Sequence, residues 1–234
     1  LFRLVIYKPD KILYYETHSS YPVYFYKRYV NKNVSIFIHY HEYMTPEEYS
    51  SGMKLLNFYH KKENYIYNKS KWISLTNDQF VKLFLIDNPD INNSIVNSLP
   101  NFPPKVWLKD TSFKKEFHFP IKIVFVGSLS NEAMFYSEFA EWVLSQNGNV
   151  VWDIYSQQIS QDVLTHIKNL GNGLISFKGY VNYYELNEVL YNYDIGVILY
   201  RGLSPNVKYN TTNKLFEYLA CGLDVWVPDE LVGA

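Results

Sequence analysis

The chain has 234 residues, 47% of them hydrophobic and 18% aromatic, with a formal charge of −1 and a single cysteine. That is core material for two modest domains or one large one. A lone Cys221 cannot form an internal disulfide or a cysteine-built metal cluster and points to a reducing compartment, while no run approaches the ~20 apolar residues of a membrane-spanning helix and no basic-then-apolar leader is present.

From the N-terminus, residues 4–7, 12–15, 34–39 and 72–75 read as strands. Thr45, Pro46 and Glu48 mark a helix start with proline in the first turn, and Asn77 caps the next helix. The strand ending IFIHYHEY puts His39 and His41 on one face, with Glu42 following. A metal reading of this pair lacks a third ligand, and an ordinary core or surface histidine is the alternative. Residues 100–120, polar and opened by LPNFPP, read as an interdomain linker.

Beyond the linker, short apolar runs at 121–127, 150–155, 174–177, 195–200 and 223–227 alternate with helical spacing, as in a buried parallel sheet. Ser160 precedes one helix, and Asn182 with Glu185 resembles a capping box. This rhythm predicts a doubly wound α/β domain whose ligand sits at the carboxyl ends of the strands. The loops after Val126, Lys178 and Leu199 and the one before Thr212 should meet there. The domains are expected at 1–117 and 118–234, and they differ in charge, at +5 and −6. A basic half suits a phosphorylated acceptor or an anionic membrane surface, with solvated surface charge as the plain alternative. Nucleic acid is disfavoured, since no basic run is longer than a pair such as Lys61 with Lys62 or Lys114 with Lys115.

Residues 210–225, NTTNKLFEYLACGLDV, carry the most chemistry. Thr212 can cap a helix whose first-turn N–H groups offer an anion site, and Gly222 supplies its stop. Leu215, Phe216, Leu219 and Ala220 share one face, leaving Glu217 near the helix start for ribose hydroxyls.

This stretch resembles the nucleotide-sugar signature of GT-B glycosyltransferases of the retaining family 4 group, close to K-L-x-E-Y-x-A-x-G-x-P-V. The resemblance implies an α/β fold of two Rossmann-like domains, with Glu217 on the donor ribose and Gly179, Tyr180 and Val181 beside the base. IKIVFVGSL at 121–129 resembles the strand and glycine turn that open the family's donor domain, with Gly127 and Ser128 at the diphosphate. The family's usual Arg and Lys after that glycine are missing, so Arg201, Lys208 or Lys214 become the candidate clamp. The family's first glutamate, seven residues before the second, is replaced by Tyr209 with Asn210, Thr211 and Thr212 following. His41 and Glu42 match the H-E or H-D next to the reacting sugar.

By this resemblance the chain is a bacterial, cytoplasmic glycosyltransferase, peripheral to the inner membrane where its acceptor requires it. It moves a sugar from a nucleotide-sugar donor to a cell-surface glycan or glycolipid with retention, needing neither cofactor nor metal, the only Asp-x-Asp-like string being DNPD at 87–90. The alternative is a non-catalytic nucleotide-sugar-binding or interaction module. The N-terminal, acceptor-side domain is expected to be incomplete, because nothing before Leu4 supplies the family's opening strand and glycine-rich loop.

Overall fold

The computed structural model describes residues 1–108, 118–170 and 173–234. It divides into two compact units, one of 1–100 with 204–211 and Gly233, the other of 101–203 with 212–232 and Ala234. The linker positions 109–117 lie outside the described residues. Just before them Trp107 is 3% exposed, and its carbonyl accepts from the Tyr191 hydroxyl of the second unit.

The first unit runs α1 (Phe2–Tyr7), β1 (Lys11–Tyr15), α2 (Ser20–Phe25), β2 (Ser35–Tyr40), α3 (Pro46–Ser51), α4 (Lys54–Tyr67), β3 (Ser70–Leu75), α5 (Asp78–Asp87) and β4 (Val96–Ser98). Its four strands are parallel in the order β1-β2-β3-β4. The anticipated caps form: Thr45 and Glu48 make a reciprocal capping box, and Asn77 accepts the Phe80 N–H. Residues 4–7, read as a strand, are instead the end of α1. That run buries nothing and leaves Phe2 and Tyr7 exposed. A short apolar run bears no periodicity that separates strand from helix, and here the local i to i−4 bonds, closed by the Lys8 N–H on Leu4 O, prevail. β4 was not anticipated, because its sequence VNS is too short and polar to register as a strand.

The second unit runs β5 (Ile121–Val126), α6 (Tyr136–Ser145), β6 (Val150–Tyr155), α7 (Gln161–Leu170), β7 (Ile175–Gly179), α8 (Leu186–Leu190) and β8 (Ile195–Val197). The chain then contributes α9 (Pro205–Tyr209) to the first unit before α10 (Asn213–Ala220) and β9 (Asp224–Trp226) complete the second. All five strands are parallel in the order β7-β6-β5-β8-β9. The order reverses beside β5, which creates the crevice where open α/β sheets bind ligands. Ile123, Phe125, Trp152, Ile154 and Ile195 form the core with Ala140 and Val143 of α6. The fold class is therefore α/β with two Rossmann-like units. Among the described residues no helix is long and apolar enough to cross a membrane.

Candidate functional site: a cavity at the carboxyl ends of β5, β6 and β7

In the second unit a cavity of about 340 Å³ opens where β5, β6 and β7 end. That is within the roughly 300–1,000 Å³ of small-ligand clefts. Its lining brings together Gly127, Ser128, Tyr180, Val181 and Lys214, five of the positions singled out in the sequence. Gly127 has φ +145°, a conformation that favours glycine, and its N–H is tied to Tyr155 O at 3.0 Å. The turn therefore brings backbone, not a side chain, to the cavity wall. Tyr155, Ser156, Gln157, Gln158, Tyr183 and Leu186 complete the wall. The loop after β6 was missed; the signal was available, since the alternating VVWDIY breaks into the polar SQQ.

Helix α10 reaches this cavity through its first turn. Thr212 caps it, its Oγ1 accepting the Lys214 N–H at 3.1 Å and its carbonyl accepting the Leu215 N–H at 3.1 Å. Those two donors are thus already used, so the positive helix end and the Lys214 ammonium are what α10 offers an anion. Lys214 Nζ donates to Glu217 Oε2 at 2.6 Å, and Glu217 is 4% exposed. The carboxylate lies close enough to the cavity to be felt by its lining: burial raises the Tyr183 phenol pKa, and the charge of Glu217 adds to the rise.

The buried face of α10 differs from the expected one. Glu217, Tyr218 and Ala220 face inward, whereas Leu219 is 52% exposed and Leu215 and Phe216 are half-buried. The cause is Tyr218, fully buried against Gly196 of β8, where a β-carbon would strike its ring. Its hydroxyl accepts the Val126 N–H at 3.0 Å, fixing the end of β5 one residue before Gly127. Sequence reasoning passed over both residues. A glycine inside a strand is the signal for close approach.

The remaining candidates lie elsewhere. Arg201 does not line the cavity; its Nε donates to Met134 O at 3.0 Å and its guanidinium pairs with Glu138 at 2.6 Å, stacked over Phe135. Asn210 and Thr211 belong to the first unit, where Thr211 Oγ1 donates to Gly233 O. His41 and Glu42, also in the first unit, line a cavity of about 240 Å³ with Glu16 and Tyr49. Glu42 additionally faces a cavity of about 190 Å³ at the ends of β2 and β3. Tyr40, on the wall of that cavity, belongs to a buried polar network centred on Glu63, which accepts from Tyr14, Tyr40 and Thr17 at 2.5–2.9 Å. His39 is buried and its Nδ1 sits 2.7 Å from Ser74 Oγ. Among the described residues no three His, Cys, Asp or Glu side chains are grouped to hold a metal. Cys221 is buried at the end of α10 as a small core residue.

No protein-family model matches the chain, and no curated protein matches its sequence. Solved structures do. HepE of Anabaena, in complex with UDP and glucose, superposes with a TM-score of 0.65 at 12% identity, over 96% of this chain and 61% of that one. The pneumococcal O-GlcNAc transferase GtfA, in complex with UDP and GlcNAc, gives 0.63 at 16% identity over 93% and 42%. The lipopolysaccharide outer core galactosyltransferase WaaB gives 0.63 at 12% identity over 97% and 58%. The chain thus spans about three fifths or less of these neighbours, and what it shares with these glycosyltransferases is their fold.

Proposed function

We propose that the chain transfers a sugar from a UDP- or GDP-linked donor to a bacterial cell-surface glycan or glycolipid, with retention of configuration and without a metal ion. The observation that carries this reading is the cavity at the ends of β5, β6 and β7, lined by Gly127, Ser128, Tyr180, Val181 and Lys214, the last of which ties Glu217 to its edge. In this reading Tyr180 and Val181 flank the base, Gly127 and Ser128 lie along the diphosphate, and Glu217 takes the ribose hydroxyls. Lys214 and the α10 end balance the phosphate charge. Arg201, committed to Glu138, is not part of the clamp. Asn210 and Thr211 are assigned to the donor sugar, and His41 and Glu42 to the reacting centre. Structural neighbours crystallised with UDP and a sugar support a nucleotide-sugar donor. The enzyme works on the cytoplasmic side of the envelope, touching the membrane where a lipid-linked acceptor requires it.

One observation favours a second reading, a nucleotide-sugar-binding module without catalysis: among the described residues Lys214 is the only basic side chain lining the cavity, and it is already paired with Glu217. Release of UDP or GDP from the nucleotide-sugars separates the two readings, and calorimetry with the same ligands measures the binding that both require. Replacing Glu217 by Gln should weaken nucleotide binding by ~1.5 to 3 kcal/mol, the range for a charge-assisted hydrogen bond, and EDTA should leave wild-type binding unchanged. Tighter UDP binding by Glu217→Gln would mean that Glu217 serves only as the counter-ion of Lys214. Binding lost to EDTA and restored by a divalent cation would contradict the metal-free reading.

A further inference from the structure

The ends of β1 and β2 hold an arrangement around His41 that the donor signature does not account for. The parallel pairing runs to Tyr15 opposite His39, and the Glu16 N–H extends it by donating to His39 O at 3.2 Å. At Glu16 the chain then adopts φ 57° and ψ 154°, a conformation essentially reserved for glycine. Glutamate at such a position carries backbone strain, and its carboxylate has a specific use. Oε1 accepts the His41 N–H at 2.6 Å and lies 3.4 Å from His41 Nδ1. Tyr15 stacks on the imidazole at 5.4 Å and 21°, and His39 meets it edge-on at 4.6 Å. Carboxylate, phenol and second imidazole thus fix the ring from separate sides, while the His41 side chain remains 45% exposed.

We propose that Glu16 is a positioning residue for His41: its carboxylate holds the imidazole proton on Nδ1 and so leaves Nε2 as an acceptor for a hydroxyl of the substrate sugar. The inference rests on the assignment of His41 to the reacting centre made above. A carboxylate facing one ring nitrogen sets the tautomer, because only the protonated nitrogen can donate to it. Burial raises the Glu16 carboxyl pKa, and the His41 N–H and imidazole act against that rise. The strain has the same logic. Glycine would relieve the backbone but would leave both His41 contacts empty.

Nitrogen-15 NMR of labelled histidine, with UDP release from UDP-glucose as the activity readout, tests the proposal on the chain. Neutral His41 should show the Nδ1–H signature in the wild type and shift towards the usual Nε2–H form in Glu16→Gln, which keeps an oxygen for the His41 N–H but loses the charge. UDP release should fall about 10- to 100-fold, taking as a guide the effect of removing a carboxylate partner from a metal-bound histidine, with UDP affinity unchanged. Glu16→Asp should recover part of the rate. Glu16→Gly should melt no lower than the wild type while losing the tautomer and the rate together. An Nε2–H tautomer in the wild type, or one unaltered in Glu16→Gln, overturns the proposal, as does a Glu16→Gly variant that melts lower and keeps the wild-type rate. Wild-type turnover in His41→Ala would sink the assignment of His41 itself; the tautomer result distinguishes that failure from failure of the Glu16 contact.

Discussion

Replacing Gly196 by Val should unfold the second unit or leave it without nucleotide affinity. Gly196 is the middle residue of the three-residue strand β8, and a β-carbon there would run into the Cδ2, Cγ and Cε2 atoms of Tyr218. Tyr218 cannot yield, because it is fully buried and its hydroxyl holds the Val126 N–H. Overpacking of a tight core typically costs about 1–3 kcal/mol and occasionally more. Displacing the ring also takes the acceptor from the part-buried Val126 N–H, for about another 1 kcal/mol. A loss of about 4 kcal/mol would be a large share of the 5–15 kcal/mol that holds a typical domain together. Chemical denaturation followed by tryptophan fluorescence measures it, Trp152 being fully buried in the same unit. Tyr218→Phe, which keeps the ring and loses only the acceptor, should cost about 1–2 kcal/mol and should loosen the turn at Gly127. A Gly196→Val variant with wild-type stability would mean that α10 does not pack on β8 as described.

Glu63→Ala should destabilise the first unit by about 3–5 kcal/mol, from hydroxyl donors left without an acceptor and from the void it opens. The carboxylate is fully buried on α4 and accepts from Tyr14 of β1, Tyr40 of β2 and Thr17. Removing it leaves three hydroxyl donors without their acceptor and a void between helix and sheet. Burial, and then the charge of Glu63, raises the Tyr14, Tyr40 and Tyr67 phenols well above their ordinary value of 10.0. Groups with raised folded-state pKa values contribute stability that is present below their unfolded value and lost as pH rises. The wild-type protein should therefore weaken above about pH 10, where these phenols ionise only by unfolding. Hydrogen exchange at β1 and β2 amides reads both effects. A Glu63→Ala variant with wild-type protection there would show that the network contributes nothing net.

The second unit was legible because its strands are apolar runs cut by turn residues and its helices announce their starts with Ser160, Asn182 and Thr212. The cap at Thr212 and the stop at Gly222 stand as read. What failed depended on partners distant in sequence. Arg201 is a free cation on paper, but it folds onto Glu138, 63 residues away. The inward face of α10 is set by the absence of a side chain at Gly196, so the pattern of Leu215, Phe216 and Leu219 pointed to the wrong side. In the first unit, 4–7 carried strand-forming residues without a partner strand. Glu16 gave no signal at all, since neither its backbone angle nor its reach to His41 is written in the local sequence.

Amide-resolved NMR titration of the chain with UDP and GDP decides whether the cavity at the ends of β5, β6 and β7 holds a nucleoside diphosphate. Saturable shifts at Gly127, Ser128, Tyr180, Val181 and Lys214, weakened in Glu217→Gln, are the predicted result. Binding that leaves these amides unmoved, or no binding of either nucleotide to the folded chain, would contradict it.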